Sequence, residues 1–181
     1  MKGIVFVELV RMAETVIGED AVDDILDACE LSTGGAYSAV GNYPCSELIT
    51  LVEAFSRHTG TPSADLQRLF GKWMHAQFVT NYPAFFTDKP DALAMLAAIE
   101  DEVHVEVRKL YPDAELPRFE TERLGADGLR MTYRSPRPLS DFCHGLVEGC
   151  VDHFGRGADI EREHLPSSTE HACAFTINLH A

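Results

Sequence analysis

Hydrophobic residues recur at helical spacing through the first two-thirds of the chain and closer to strand spacing in the last third. Residues 1–17 are apolar with interspersed charge, and the run stops at Gly18. In residues 21–31, Val22, Ile25, Leu26 and Cys29 share one helical face, and Gly34-Gly35 marks a loop. A third helix, capped by Ser46, turns Leu48, Leu51, Val52 and Phe55 inward and ends at Thr59-Gly60. Ser63 opens a fourth that carries Leu66, Leu69, Phe70, Trp73 and Phe78 and breaks at Asn81-Tyr82-Pro83. In Thr87-Asp88-Lys89-Pro90-Asp91 a capping side chain precedes a first-turn proline, which starts one long helix. Its apolar stripe is Leu96, Ile99, Val103, Val107 and Leu110, and it ends at Tyr111-Pro112-Asp113. His104 lies off the centre of that stripe, nearly in line with Leu93 and Ala97, and so faces a pocket at the edge of the core.

After Pro117 the pattern changes. Residues 118–123 and 128–137 read as strands around the turn Gly125-Ala126-Asp127-Gly128. Residues 139–154 return to helical periodicity, and 172–179 alternate weakly as a final strand. Helices followed by mixed strands predict an α+β fold, with an antiparallel sheet beside the long helix. The expectation is one domain over 1–181, with a helical subdomain to about residue 62 and a ligand-cradling subdomain from about residue 63 onward.

Composition narrows the function classes. A net charge of −14 argues against nucleic acid and anionic membrane surfaces as partners. No run reaches the roughly 18–20 apolar residues that span a bilayer. The N-terminal stretch carries Glu8, Arg11 and Glu14 and lacks a signal-peptide layout. Five cysteines, an odd number with no CxxC pair, point to reduced thiols in a cytoplasm. Phosphate-loop, GxSxG and HExxH motifs are missing from the sequence.

The segment Tyr133-Arg134-Ser135-Pro136-Arg137 carries the candidate chemistry. In an extended strand Tyr133, Ser135 and Arg137 point one way, together with Leu129 and Met131. That face grades from apolar to hydrogen-bond donors and ends in a guanidinium. It suits a ligand with an apolar body and anionic arms, such as a porphyrin with its propionates, for which His104 supplies an axial ligand.

This pattern resembles the heme-nitric oxide/oxygen binding (H-NOX) family. Tyr133, Ser135 and Arg137 match its Tyr-x-Ser-x-Arg signature, and His104 stands 29 residues before Tyr133. Tyr111-Pro112, Leu116-Pro117-Arg118-Phe119, the opening Met1-Lys2-Gly3-Ile4 and Phe70-Gly71 also match. The resemblance implies a gas sensor of the stand-alone bacterial type, not an enzyme, that binds heme b. His104 would ligate the iron, Tyr133, Ser135 and Arg137 would hold the propionates, and Pro117 would press the porphyrin out of plane. Phe78 and Phe142 complete the candidate heme contacts. Oxygen-binding members carry a distal tyrosine five residues after the signature arginine; here that position is Phe142. Without that donor the pocket should take nitric oxide and carbon monoxide and reject dioxygen, unless His75 reaches it. The implied partner is a histidine kinase, in two-component regulation, or a cyclic-di-nucleotide enzyme.

Cys143, His164 and Cys173 form a second candidate set, for zinc, within a group that also holds Cys150 and His171. Ser140 stands where the family's C-terminal Cys/His site would place a cysteine. A zinc- or thiol-based redox sensor is therefore the rival reading. A heme peroxidase is a second rival, although only His75 offers a distal acid or base.

Overall fold

A computed structural model describes residues 1–180. They group into two compact units, one from Met1 to Phe70 and one from Gly71 onward. The division falls inside a helix, eight residues beyond the boundary expected near residue 62.

The first unit contains α1 (Gly3–Ile17), α2 (Glu19–Ala28), α3 (Cys45–Thr59) and the start of α4 (Ser63–Asn81). Its buried core includes Phe6, Leu9, Val22, Leu48, Leu51 and Phe55, mostly the residues that the helical spacing selects. Gly3 has no room for a side chain: a Cβ there would stand 1.9 Å from the carbonyl oxygen of Ser38. The helix expected over 21–31 instead runs from Glu19 to Ala28, with Cys29 as its C-cap, and α3 begins one residue before Ser46. Its N-cap is Pro44, with no capping side chain.

The second unit holds the rest of α4, the short α5 (Ala84–Thr87), α6 (Ala92–Ala98), α7 (His104–Leu110), α8 (Ser140–Phe154) and a four-stranded antiparallel sheet. The strands are β1 (Arg118–Arg123), β2 (Gly128–Ser135), β3 (Ala158–His164) and β4 (His171–Leu179), in the order β1-β2-β4-β3. The fold class is α+β, as the sequence predicts. β3 gives no clear strand pattern in the sequence because only Ala158, Ile160 and Arg162 are half-buried, and just two of these are apolar. The weak alternation of β4 follows from its central place. Cys173, Phe175 and Ile177 face the core, while Ala172 and Ala174 are covered on the other face beside Arg134 and Glu163.

The long helix differs most from expectation. Its N-cap is Asp91, after the proline, whose carboxylate accepts the Ala94 amide at 2.8 Å. α6 then gives way to a π-helical turn, Ile99–Val103, before α7. The turn is closed by the amide of His104, which donates to the carbonyl of Ile99. One extra residue in a turn rotates everything after it by about 100° relative to a regular helix. The predicted stripe is therefore interrupted: Leu96 is buried, whereas Leu110 is 70% exposed. His104, off-centre by regular spacing, is buried instead.

Candidate functional site

The inner face of β2 follows strand parity as far as Ser135. Leu129, Met131, Tyr133 and Ser135 are all buried, with half-buried residues between them. Arg137 departs from that row. The strand ends at Ser135 and Arg137 lies in the bend that follows, so chain reversal rather than parity sets its direction. The Ser135 hydroxyl oxygen accepts the Arg137 amide at 3.1 Å, which pins the bend. Tyr133 donates weakly to the Arg137 carbonyl at 3.4 Å. The three signature residues are therefore brought together at one end of the sheet.

The Arg137 guanidinium is already bound to a carboxylate. It donates to the Glu115 side chain at 2.6 Å and to the Glu115 carbonyl at 2.7 Å. Glu115 sits two residues before Pro117, which is half-buried at the entry to β1. The chemistry of this end of the sheet thus suits a propionate, since one carboxylate is held there from within the chain.

His104 is buried at the head of α7. Its Nδ1 bonds to the carboxylate of Glu100 at 3.0 Å. Glu100 also accepts from Arg108 at 2.8 Å and from the backbone amide of Phe119 at 3.1 Å. Burial works against the Glu100 charge, but the hydrogen bonds from Arg108, His104 and Phe119 outweigh it and lower its pKa. For His104 burial dominates and pushes the pKa below 6.5, despite the opposing pull of Glu100. The ring is therefore neutral at pH 7. With Nδ1 engaged, Nε2 is the nitrogen left for a metal. The Phe119 ring lies between the two halves of the site, 5.5 Å from His104 and 5.8 Å from Tyr133 between ring centroids.

A large apolar cluster backs these groups. It joins Leu93, Met95 and Leu96 of α6 to Met131, Tyr133, Phe175 and Ile177 of the sheet and to Val147 of α8, with Phe78 packed against it. Gly71 allows α4 to cross α8 closely: a Cβ there would stand 2.2 Å from the Phe142 carbonyl oxygen and 2.7 Å from the Leu146 amide nitrogen. Phe142 itself is half-buried. His75 lies one turn further along α4, where its Cβ faces Gly149 and its ring meets those of Phe86 and His153. It thus packs a level away from the Gly71–Phe142 crossing. A neutral imidazole with a bare nitrogen, an apolar cluster and a carboxylate-binding end make a donor set that fits heme.

The zinc set is not supported. Strand register places His164 opposite Cys173, and Cys143 joins the same cluster. Yet no group of three or more His, Cys, Asp or Glu side chains is placed to hold a metal among the described residues. Cys143 and Cys173 are core thiols. Burial raises the pKa of Cys143 far above 9.0 and that of Cys173 to about 11, so neither offers a thiolate at neutral pH. His164 is exposed.

Glu100 and Glu115 were not singled out by the sequence, and Phe119 entered only as the last residue of the Leu116-Pro117-Arg118-Phe119 match. The four-residue spacing of Glu100 and His104 on a helix was the available signal. The contacts of Glu100 with Phe119 and of Glu115 with Arg137 span 19 and 22 residues and carry no local signature.

No helix among the described residues is long and apolar enough to cross a membrane. None of the curated proteins compared matches the chain significantly. Among solved structures, the ferrous, unliganded H-NOX protein from K. algicida is 36% identical, with full coverage of this chain, 97% coverage of its own and a TM-score of 0.91. An H-NOX protein from S. oneidensis in the Fe(II)NO state is 25% identical, with full coverage of both chains and a TM-score of 0.87. A point mutant of the T. tengcongensis H-NOX, at 21% identity, with full coverage of this chain, 98% of its own and a TM-score of 0.90, shares the fold. The Haem-NO-binding family profile matches residues 2–162, and the chain belongs to that family, the H-NOX proteins, which are heme-based gas sensors.

Proposed function

We propose that the chain is a nitric oxide sensor without catalytic activity of its own, built on heme b with His104 as the protein's only iron ligand. The observation that carries this reading is the buried, neutral His104, anchored through Nδ1 with Nε2 left over, in the same unit as the Tyr133–Ser135–Arg137 donors. The S. oneidensis relative solved with nitric oxide on ferrous iron supports the choice of gas. Bound heme would supply a ferrous iron able to take a diatomic gas, with His104 holding that iron through Nε2.

The chain's own residues do the rest. Tyr133, Ser135 and Arg137 orient the propionates, with Arg137 exchanging or sharing Glu115. Pro117 braces the porphyrin from the entry to β1. Phe78 and Phe142 supply apolar wall. Phe142 has no hydrogen to donate, so a ligand that gathers negative charge on its outer atom gains nothing from it. Nitric oxide and carbon monoxide tolerate that environment better than dioxygen. A change in how His104 holds the iron would be passed to α7 and the π-turn, because His104 opens the one and its amide closes the other. A separate partner, a histidine kinase or a cyclic-di-nucleotide enzyme, reads the change in the cytoplasm.

The test is the absorption spectrum of the reduced, heme-loaded protein in air, under nitric oxide and under carbon monoxide. Nitric oxide and carbon monoxide should each shift the spectrum, and air should give no stable dioxygen complex. Phe142→Tyr should gain measurable dioxygen affinity. A stable dioxygen complex in the parent protein would overturn the selectivity argument.

A further inference from the structure

We infer that Glu100 is the positioning residue for the His104 ligand, strengthening the iron–histidine bond and tying that bond to the strand that follows Pro117. The inference rests on the reading of His104 as the heme ligand and names the group that sets how tightly it holds.

Three bonds converge on Glu100. One carboxylate oxygen accepts both His104 Nδ1 at 3.0 Å and the Phe119 amide at 3.1 Å, and the other accepts Arg108 at 2.8 Å. Only the Arg108 bond is a partly exposed ion pair. The other two partners are a buried imidazole and a backbone amide on a different element. β1 is an edge strand, and Glu100 supplies an acceptor to its unpaired side. The local backbone is also unusual. The π-turn begins one residue before Glu100 and is closed by the His104 amide itself. Such wide turns inside helices gather at functional sites.

Two consequences follow for His104. Accepting from Nδ1 fixes the tautomer, with the proton on Nδ1 and the lone pair on Nε2. A carboxylate acceptor also draws that proton toward itself and makes the imidazole a stronger electron donor to a metal. A third consequence is mechanical. The same oxygen holds the Phe119 amide two residues past Pro117, so any rotation of the His104 ring pulls on a group that β1 also uses. Glu100 therefore sets the threshold for releasing His104 and passes the release to β1.

The test compares Glu100→Gln with the parent as reduced, heme-loaded proteins, and Glu100→Leu where it folds. Glutamine keeps the shape and one acceptor oxygen but loses the charge. The iron–histidine stretching band in the resonance Raman spectrum should move to lower frequency in Glu100→Gln and further in Glu100→Leu. Under nitric oxide, His104 should dissociate about tenfold faster or more, the scale of losing such an acceptor. In heme-free protein the Phe119 amide should exchange hydrogen faster in Glu100→Leu. A Glu100→Gln protein with the parent's band position and release rate would overturn the inference, even if it melted at a lower temperature. That result would leave His104 ligation intact. A parent protein with no iron–histidine band would instead overturn the reading on which the inference rests.

Discussion

Replacing His75 with Leu should flatten the acid side of the heme-free protein's stability profile. His75 is buried against Gly149 and between the rings of Phe86 and His153. Burial, reinforced by repulsion from His153 and opposed by Asp152, lowers its pKa from 6.5 to about 4. The unfolded chain would protonate this side chain near pH 6.5, but the folded chain would not until near pH 4. As pH falls through that window the unfolded state takes up a proton that the folded state refuses, and stability is lost. At 1.36 kcal/mol per unit, the loss is about 2 kcal/mol by pH 5 and about 3 kcal/mol near pH 4. Leucine is of similar volume and carries no proton. Relative to the parent, His75→Leu should gain about 2 kcal/mol between pH 7 and pH 5. Urea unfolding of both proteins across that range, with matched m-values, reads the difference. Parallel profiles would show that His75 is not held neutral by its surroundings. The same variant, loaded with heme, should still reject dioxygen, because His75 packs away from Phe142.

Arg137→Ala removes the guanidinium that grips Glu115 and, in the proposed site, a propionate. Heme retention should weaken about 10- to 150-fold, the equivalent of one charge-assisted hydrogen bond, as measured by transfer to apomyoglobin. Retention equal to that of the parent would remove Arg137 from the site. In the folded protein a thiol reagent should leave Cys143, Cys150 and Cys173 unmodified until unfolding, since burial raises the pKa of Cys150 to about 12 and also protects the other two. Rapid modification of these three would revive a thiol-based switch.

The sequence made legible whatever depended on a single period. Helical spacing located α1, α3 and α8, and strand parity placed Leu129, Met131, Tyr133 and Ser135 on one buried face. Illegible were the features in which periods change or distant segments meet. The π-turn is hidden because one extra residue leaves every amino acid helix-compatible while rotating all that follow. Arg137 continued the parity of β2 on paper, but the strand stops two residues before it. β3 carries too few apolar residues to announce itself at the sheet edge. Of the candidate site, the sequence names His104, Tyr133, Ser135 and Arg137. Their anchors, Glu100 and Glu115, became visible only when folding brought them beside Phe119 and Arg137. The proposed zinc set failed for the opposite reason: its cysteines are close in the fold, but burial makes them part of the core.

His104→Gly tests the central claim most directly, through the absorption spectrum of the reduced, heme-loaded variant with and without added imidazole. The parent should show five-coordinate ferrous heme with histidine ligation. The variant should lose that spectrum, and imidazole should restore it by occupying the vacated position. A variant whose reduced spectrum matches the parent without imidazole would contradict His104 as the ligand and, with it, the release mechanism built on that bond.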